Sequence, residues 1–188
     1  MLEPEVVRQA RREYELDEPG WRTAEDERAG HQRHAAALLR GKDVRAEDVA
    51  RFGDRLLDYF DAYSPVSGIP ELLWELSRAG VRQGVVSNWP PSLAAFLGHH
   101  HLAGHFGTIV CSADLGVLKP DPAPFLCALD KLESTPNQTV FIGNDPLLDI
   151  APARALGMQT IHFDPRREHV ERQATNIIDL RRLLQSFT

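Results

Sequence analysis

The chain has 188 residues, 43% of them hydrophobic and 26% charged, a size and balance that fit one core domain with a small companion. Its net charge of −6 argues against a nucleic-acid ligand, which needs a basic patch, and no run approaches the roughly 20 apolar residues of a membrane span. No basic and apolar leader is read, and Cys111 and Cys127 stand in no metal or redox spacing. Two reduced thiols and a cytoplasmic protein without a membrane partner are the expectation.

Residues 3–16 read as a polar helix stopped by Pro19-Gly20. Thr23-Ala-Glu-Asp26 has the form of a capping box opening a second helix to about Arg40, where Gly41 ends it. Residues 46–62 predict a third, with Pro65 beyond it. Residues 1–64 are therefore expected to form a helical cap whose apolar stripes pack on one another and over a crevice. From Gly68 the pattern alternates. Helices are expected at 70–78, 93–97, 122–132 and 147–156, and strands at 81–86, around Ile109-Val110, at 140–142 and at 159–163. Asn176-Ile-Ile178 reads as a short extra strand before a last helix to Leu184. Strands alternating with helices imply an α/β core, residues 65–188, with a parallel sheet covered on both faces.

The chemistry gathers where strands end. Val140 to Ile142 is an apolar run that stops at Gly143, and Asp145 and Asp149 follow four residues apart. Carboxylates at the carboxyl end of a parallel strand suit a hard cation such as Mg²⁺; the competing reading is helix capping by Asp145 and a solvated Asp149. The 81–86 run ends in Ser87-Asn88, and the loop after Ile109-Val110 carries Lys119. A hydroxyl, an ammonium and a carboxylate pair, each following its own strand, suit a phosphoryl group.

Ser87-Asn88, Leu118-Lys119-Pro120-Asp121-Pro122 and Ile142-Gly-Asn-Asp-Pro146…Asp149 resemble, in order and spacing, the second, third and fourth motifs of the haloacid dehalogenase-like (HAD) hydrolase superfamily. Residues 65–73 resemble the re-entry from a helical cap, and 151–158 the helix and turn after the fourth motif. The resemblance covers about residues 64–163. It implies a Rossmann-type parallel sheet and a phosphatase that works through an aspartyl intermediate. Ser87, Asn88 and Lys119 would hold the phosphate, Lys119 in a catalytic role, and Asp145 and Asp149 would hold Mg²⁺. Asn144, directly after the glycine, is the alternative for the first metal position. The implied partner is a small phosphorylated molecule.

The family's first motif, an apolar strand ending in Asp-x-Asp that supplies the nucleophile, has no match here. Three readings stay open: an impaired phosphatase-type scaffold, a non-catalytic relative that binds a phosphorylated ligand or a protein, and an incomplete gene product. The strand that carries that motif is central in the family's sheet, so its absence predicts a gap. Either the flanking strands slide together or a second copy fills the space, making a homo-oligomer. Among residues with a blander reading, His99-His100-His101 is taken as a polar helix end and His31 with His34 as a surface pair. Trp74 is assigned to the core, Trp21 to packing on the first helix, and Trp89 to either the pocket or the core. Arg154 is expected to be solvated or ion-paired.

Overall fold

The computed structural model describes residues 4–17, 20–61, 63–164, 173–174 and 176–185. Pro19, the expected stop of the first helix, lies outside them. Among the described residues no helix is long and apolar enough to cross a membrane.

Three helices come first: α1 (Pro4–Asp17), α2 (Ala24–Leu38) and α3 (Ala46–Asp61). The capping box opening α2 is complete. Thr23 Oγ1 accepts from Asp26 N–H at 3.1 Å and Asp26 Oδ2 accepts from Thr23 N–H at 2.9 Å, so two orphan donors of the first turn are satisfied. The helices approach closely where glycine removes a side chain. A Cβ on Gly30 would stand 1.8 Å from Trp21 Cζ2, and one on Gly53 would stand 2.7 Å from Gln32 Cα. Trp21 fills the space left by Gly30 and meets the Tyr14 ring edge-on at 5.1 Å, the expected packing on α1.

His31 and His34 are not a surface pair. α1 lies over that face of α2, His31 is fully buried, and His34 donates from Nδ1 to the Ala10 carbonyl of α1 at 3.1 Å. Two contacts anchor these helices on the rest of the molecule. The buried Glu27 carboxylate accepts from Ser92 N–H at 3.2 Å and Ser92 Oγ at 2.8 Å, and Arg22 donates to the Ala113 carbonyl.

The α/β part runs α4 (Ile69–Arg78), β1 (Gly84–Ser87), α5 (Leu93–His99), β2 (Thr108–Cys111), α6 (Ser112–Leu115), α7 (Ala123–Lys131), β3 (Val140–Gly143), α8 (Ala151–Ala155), β4 (Gln159–Phe163), β5 (Gln173–Ala174) and α9 (Ile177–Gln185). Every described strand pairing is parallel. The strands nevertheless form two sheets, β1 with β2 and β3-β4-β5, and no ladder joins β1 to β3. The flanking strands have not slid together. A cleft of about 570 Å³ lies between the half-sheets, floored by leucines of α4 and α9.

Four expectations are corrected. The strand expected from Val81 begins at Gly84, with residues 81–83 as its approach. Asn176-Ile-Ile178 is not a strand, because Asn176 Oδ1 accepts from the N–H groups of Ile178 and Asp179 and so caps α9; the extra strand is β5. The helix expected at 147–156 is a wide π-type turn, Pro146–Ile150, running into α8. Trp74 is 52% exposed, with the Arg78 guanidinium 5.0 Å from its ring centroid. It sits two residues from both Leu72 and Leu76, on the opposite face of α4. The three histidines do end α5, and both cysteines are free thiols.

Burial holds the His34 imidazole below its ordinary pKa of 6.5, with nearby His31 acting the same way and the Ala10 carbonyl and Glu13 opposing. Below about pH 6.5 the unfolded chain takes up a proton there that the folded chain refuses until its lowered pKa is reached. Stability is thus present at neutral pH and lost as pH falls. Urea unfolding at about pH 7.5 and about pH 5.5 is expected to show this decline, and His34→Gln to reduce it.

Candidate active site

The parallel strands end on one rim, and the loops leaving β1, β2 and β3 carry the residues of interest. Ser87 closes β1. Its hydroxyl makes no hydrogen bond to another described residue and stays available to a ligand. The Asn88 side-chain amide pairs twice with the Lys119 main chain: Oδ1 accepts from Lys119 N–H at 2.8 Å and Nδ2 donates to the Lys119 carbonyl at 3.0 Å. Asn88 therefore fixes the loop on which Lys119 stands.

Lys119 points inward. Its ammonium donates to the Val86 carbonyl of β1 at 3.0 Å and to Asp149 Oδ1 at 2.6 Å, and its side chain is only 10% exposed. The Phe141 ring of β3 lies 5.9 Å from the Nζ. A surface lysine is excluded. With two of its three N–H donors engaged, the ammonium keeps one for another acceptor.

The loop after β3 closes around Asp149. Its Oδ2 accepts from the N–H groups of Asn144 at 3.1 Å and Asp145 at 3.0 Å. Both oxygens are thus bonded within the protein, and the carboxylate is buried rather than solvated. Gly143 is required by this arrangement, since a Cβ there would stand 2.4 Å from Asp149 Cβ. The π-type turn contributes as well: the Asp145 carbonyl accepts from Asp149 N–H at 2.9 Å and Ile150 N–H at 3.1 Å. Asp145 caps that turn, Oδ1 accepting from Leu147 and Leu148 N–H at 2.8 and 2.9 Å. The capping reading holds for Oδ1, while Oδ2 makes no hydrogen bond to another described residue. The Asn144 carbonyl bonds His162 Nε2 at 3.0 Å.

The rim thus brings Ser87, Asn88, Lys119, Asn144, Asp145 and Asp149 onto three neighbouring loops. Two supports had no sequence signal. Ser112 Oγ accepts from Trp89 N–H at 2.9 Å and Cys111 Sγ donates to the Trp89 carbonyl at 2.7 Å, bracing the loop that follows Ser87. Trp89 packs on the core beside Phe96, with the Tyr63 ring centroid 6.3 Å from its own. Arg154 donates to Thr160 Oγ1 at 2.9 Å instead of pairing with an acid.

Residues 24–163 match the family model described as haloacid dehalogenase-like hydrolase. The chain belongs to this family. It is 30% identical over 187 residues to the ribulose-1,5-bisphosphate 5-phosphatase of Halopiger xanaduensis, covering 93% of this chain and 77% of that protein. It is 32% identical over 138 residues to the N-acetylmuramic acid 6-phosphate phosphatase of Pseudomonas aeruginosa, covering 70% of this chain and 61% of that one. In structure it resembles YfnB of Bacillus subtilis, solved with magnesium bound, at a TM-score of 0.72 and 19% identity over 98% of this chain and 84% of that one. The 2-haloacid dehalogenase of Pseudomonas syringae gives 0.66 at 23% identity, over 100% of this chain and 83% of that one. At such identities the structural likeness is one of fold, and the HAD α/β architecture is established by it.

Removing one member of a buried ion pair leaves the other uncompensated, at a cost of about 3–5 kcal/mol. Lys119→Met alone is expected to destabilise this HAD chain by that order. The double variant Lys119→Met/Asp149→Asn should recover at least about 1 kcal/mol of the loss in urea unfolding. Additive losses would show that the 2.6 Å contact carries no coupling.

Proposed function

We propose that this chain is the phosphoryl-binding scaffold of a HAD-type phosphatase, acting on or holding a small phosphorylated molecule. In this reading residues 1–64 form the cap and 65–188 the core. The observation that carries it is the inward ammonium of Lys119, fixed between the Val86 carbonyl and Asp149 with one donor to spare. Ser87 donates its hydroxyl to a phosphoryl oxygen, Lys119 offsets the charge, and Asn88 keeps Lys119 in place without touching the ligand. By their names, the Halopiger xanaduensis and Pseudomonas aeruginosa relatives act on small phosphorylated molecules, which supports the substrate class.

Among the described residues no group of three or more metal-binding side chains forms. Asp145 keeps one carboxylate oxygen outside its capping bonds, and Mg²⁺ is usually held by one or two carboxylates together with waters and substrate phosphate. Asp145, through its free oxygen, is the direct ligand, and Asp149 lies behind it. Asn144 is the alternative for the first position. When bound, the ion would neutralise charge on the phosphoryl oxygens.

The scaffold binds better than it turns over. A covalent route needs a carboxylate that attacks phosphorus, and the sequence contains no Asp-x-Asp after an apolar strand. Asp149 is committed to Lys119 and two backbone N–H groups, so it cannot substitute.

With p-nitrophenyl phosphate and a panel of phosphate esters in Mg²⁺, the purified chain should show no substantial turnover. Efficient turnover that disappears on Asp145→Ala would overturn the reading. Calorimetry should show little heat at micromolar Mg²⁺, because Asp145 with Asp149 behind it supplies only part of an octahedral shell. Tight binding unchanged by Asp145→Asn would refute the assignment of Asp145.

A further inference from the structure

The start of α2 reaches two of the three rim segments at once. Arg22, just before the N-cap Thr23, donates to the Ala113 carbonyl in α6, the turn that leaves β2. Glu27, in the first turn of α2, accepts from Ser92 N–H at 3.2 Å and from Ser92 Oγ at 2.8 Å, in the segment that leaves β1. Both side chains stand on a stiff base. Asp26 Oδ2 accepts from the N–H groups of Arg22 and Thr23, each at 2.9 Å, so the chain entering the helix is tied to its first turn.

The two gripped segments are also bonded to each other. Trp89 N–H donates to Ser112 Oγ at 2.9 Å, and Cys111 Sγ donates to the Trp89 carbonyl at 2.7 Å. One residue before that brace, the Asn88 amide pairs with the Lys119 main chain. Ser92 is joined to Trp89 through Pro90-Pro91, whose rings fix two φ angles, so a shift at Ser92 is carried towards the brace rather than absorbed.

Glu27 is 4% exposed and lies 3.8 Å from Nε2 of the equally buried His31. A carboxylate in such a place is costly unless hydrogen-bonded, and apolar residues hold two parts together as well. Its particular contribution is direction. Two charge-assisted bonds to one residue set the position and orientation of Ser92, which apolar contact leaves free.

We infer that Arg22 and Glu27 are positioning residues of the rim: the start of α2 clamps the segments leaving β1 and β2 and so sets the register of Asn88 against Lys119. Neither residue touches a ligand. The effect on anion affinity rests on the phosphoryl-binding reading above; the clamp itself is measured on the protein alone.

Amide exchange of Lys119 N–H, whose acceptor is Asn88 Oδ1, reports the register in the full chain. Glu27→Ala should speed it at least about tenfold, the scale of a lost hydrogen bond to a charged group. Glu27→Gln keeps an acceptor for Ser92 and should recover most of the protection. Phe52→Leu trims the packing of the helices on Ala10, Ala37 and Leu38, away from both segments, and should leave Lys119 exchange at the wild-type rate. Ser92→Ala and Arg22→Met remove smaller parts of the clamp and should each speed exchange roughly threefold, which decides the matter where Glu27→Ala does not fold. Inorganic phosphate, followed at fixed ionic strength by the Ser87 amide resonance, should bind Glu27→Ala at least about threefold more weakly than wild type. The clamp is overturned by unchanged Lys119 exchange in these variants, by an equal rise in Phe52→Leu, or by no difference between Glu27→Gln and Glu27→Ala. Unchanged phosphate affinity despite faster exchange overturns its role at the rim. If wild type ignores phosphate, or Lys119→Met binds it equally well, the phosphoryl-binding reading fails, while the exchange rates still decide the clamp.

Discussion

One ion pair organises the site: the Lys119 ammonium against Asp149, with the Val86 carbonyl as its other acceptor. Val86 belongs to the β1-β2 half-sheet and Asp149 follows β3, so a single side chain ties the two halves at the rim. Neither charge is solvated enough to stand alone, and burying one without the other is costly. The surroundings follow from that constraint. Gly143 leaves room for the carboxylate, the turn of Pro146–Ile150 directs it back towards β3, and the Asn88 amide grips the lysine's backbone on both sides. Changing any of these moves a charge rather than merely loosening a loop.

Fold class, helix order and the three rim loops were legible in the sequence because each has a local cause. Apolar runs of β-favouring residues, Pro-Gly punctuation and the Thr23 capping box are short-range signals, and the motifs after each strand are contiguous in the chain. What stayed hidden depends on partners far away in sequence. His31 and His34 looked like a surface pair until α1 covered them, and Trp74 looked like core until the helix phase set by Leu72 and Leu76 turned it outward. The sequence showed Lys119 in an apolar setting, but not its contact with Asp149, 30 positions on. Asn176-Ile-Ile178 has strand-favouring residues, yet the asparagine's capping bonds to Ile178 and Asp179 decide the matter for helix.

The helical part is held on the α/β part by polar groups that are themselves buried. Glu27 is 4% exposed and receives both donors of Ser92, while Arg22 reaches a main-chain carbonyl of α6. Such contacts fix orientation better than apolar stripes, because a hydrogen-bonded buried carboxylate tolerates little displacement before its donors are lost. Ser92 lies four residues after Asn88 in the loop leaving β1, so the placement of the helices and the shape of the rim are set through the same segment.

The split sheet gives the rim a second dependence. Among the described residues half of the main-chain groups of β1 and β3 have no strand beside them, while Leu72 of α4 and Leu180 of α9 are buried beneath the cleft. The facing edges are not fully desolvated, since Gly84 and Ile142 are exposed and water can satisfy their main-chain groups. At the carboxyl end the Lys119 ammonium occupies the Val86 carbonyl. The lysine thus serves as both a charge for an anion and a substitute donor for an absent ladder bond.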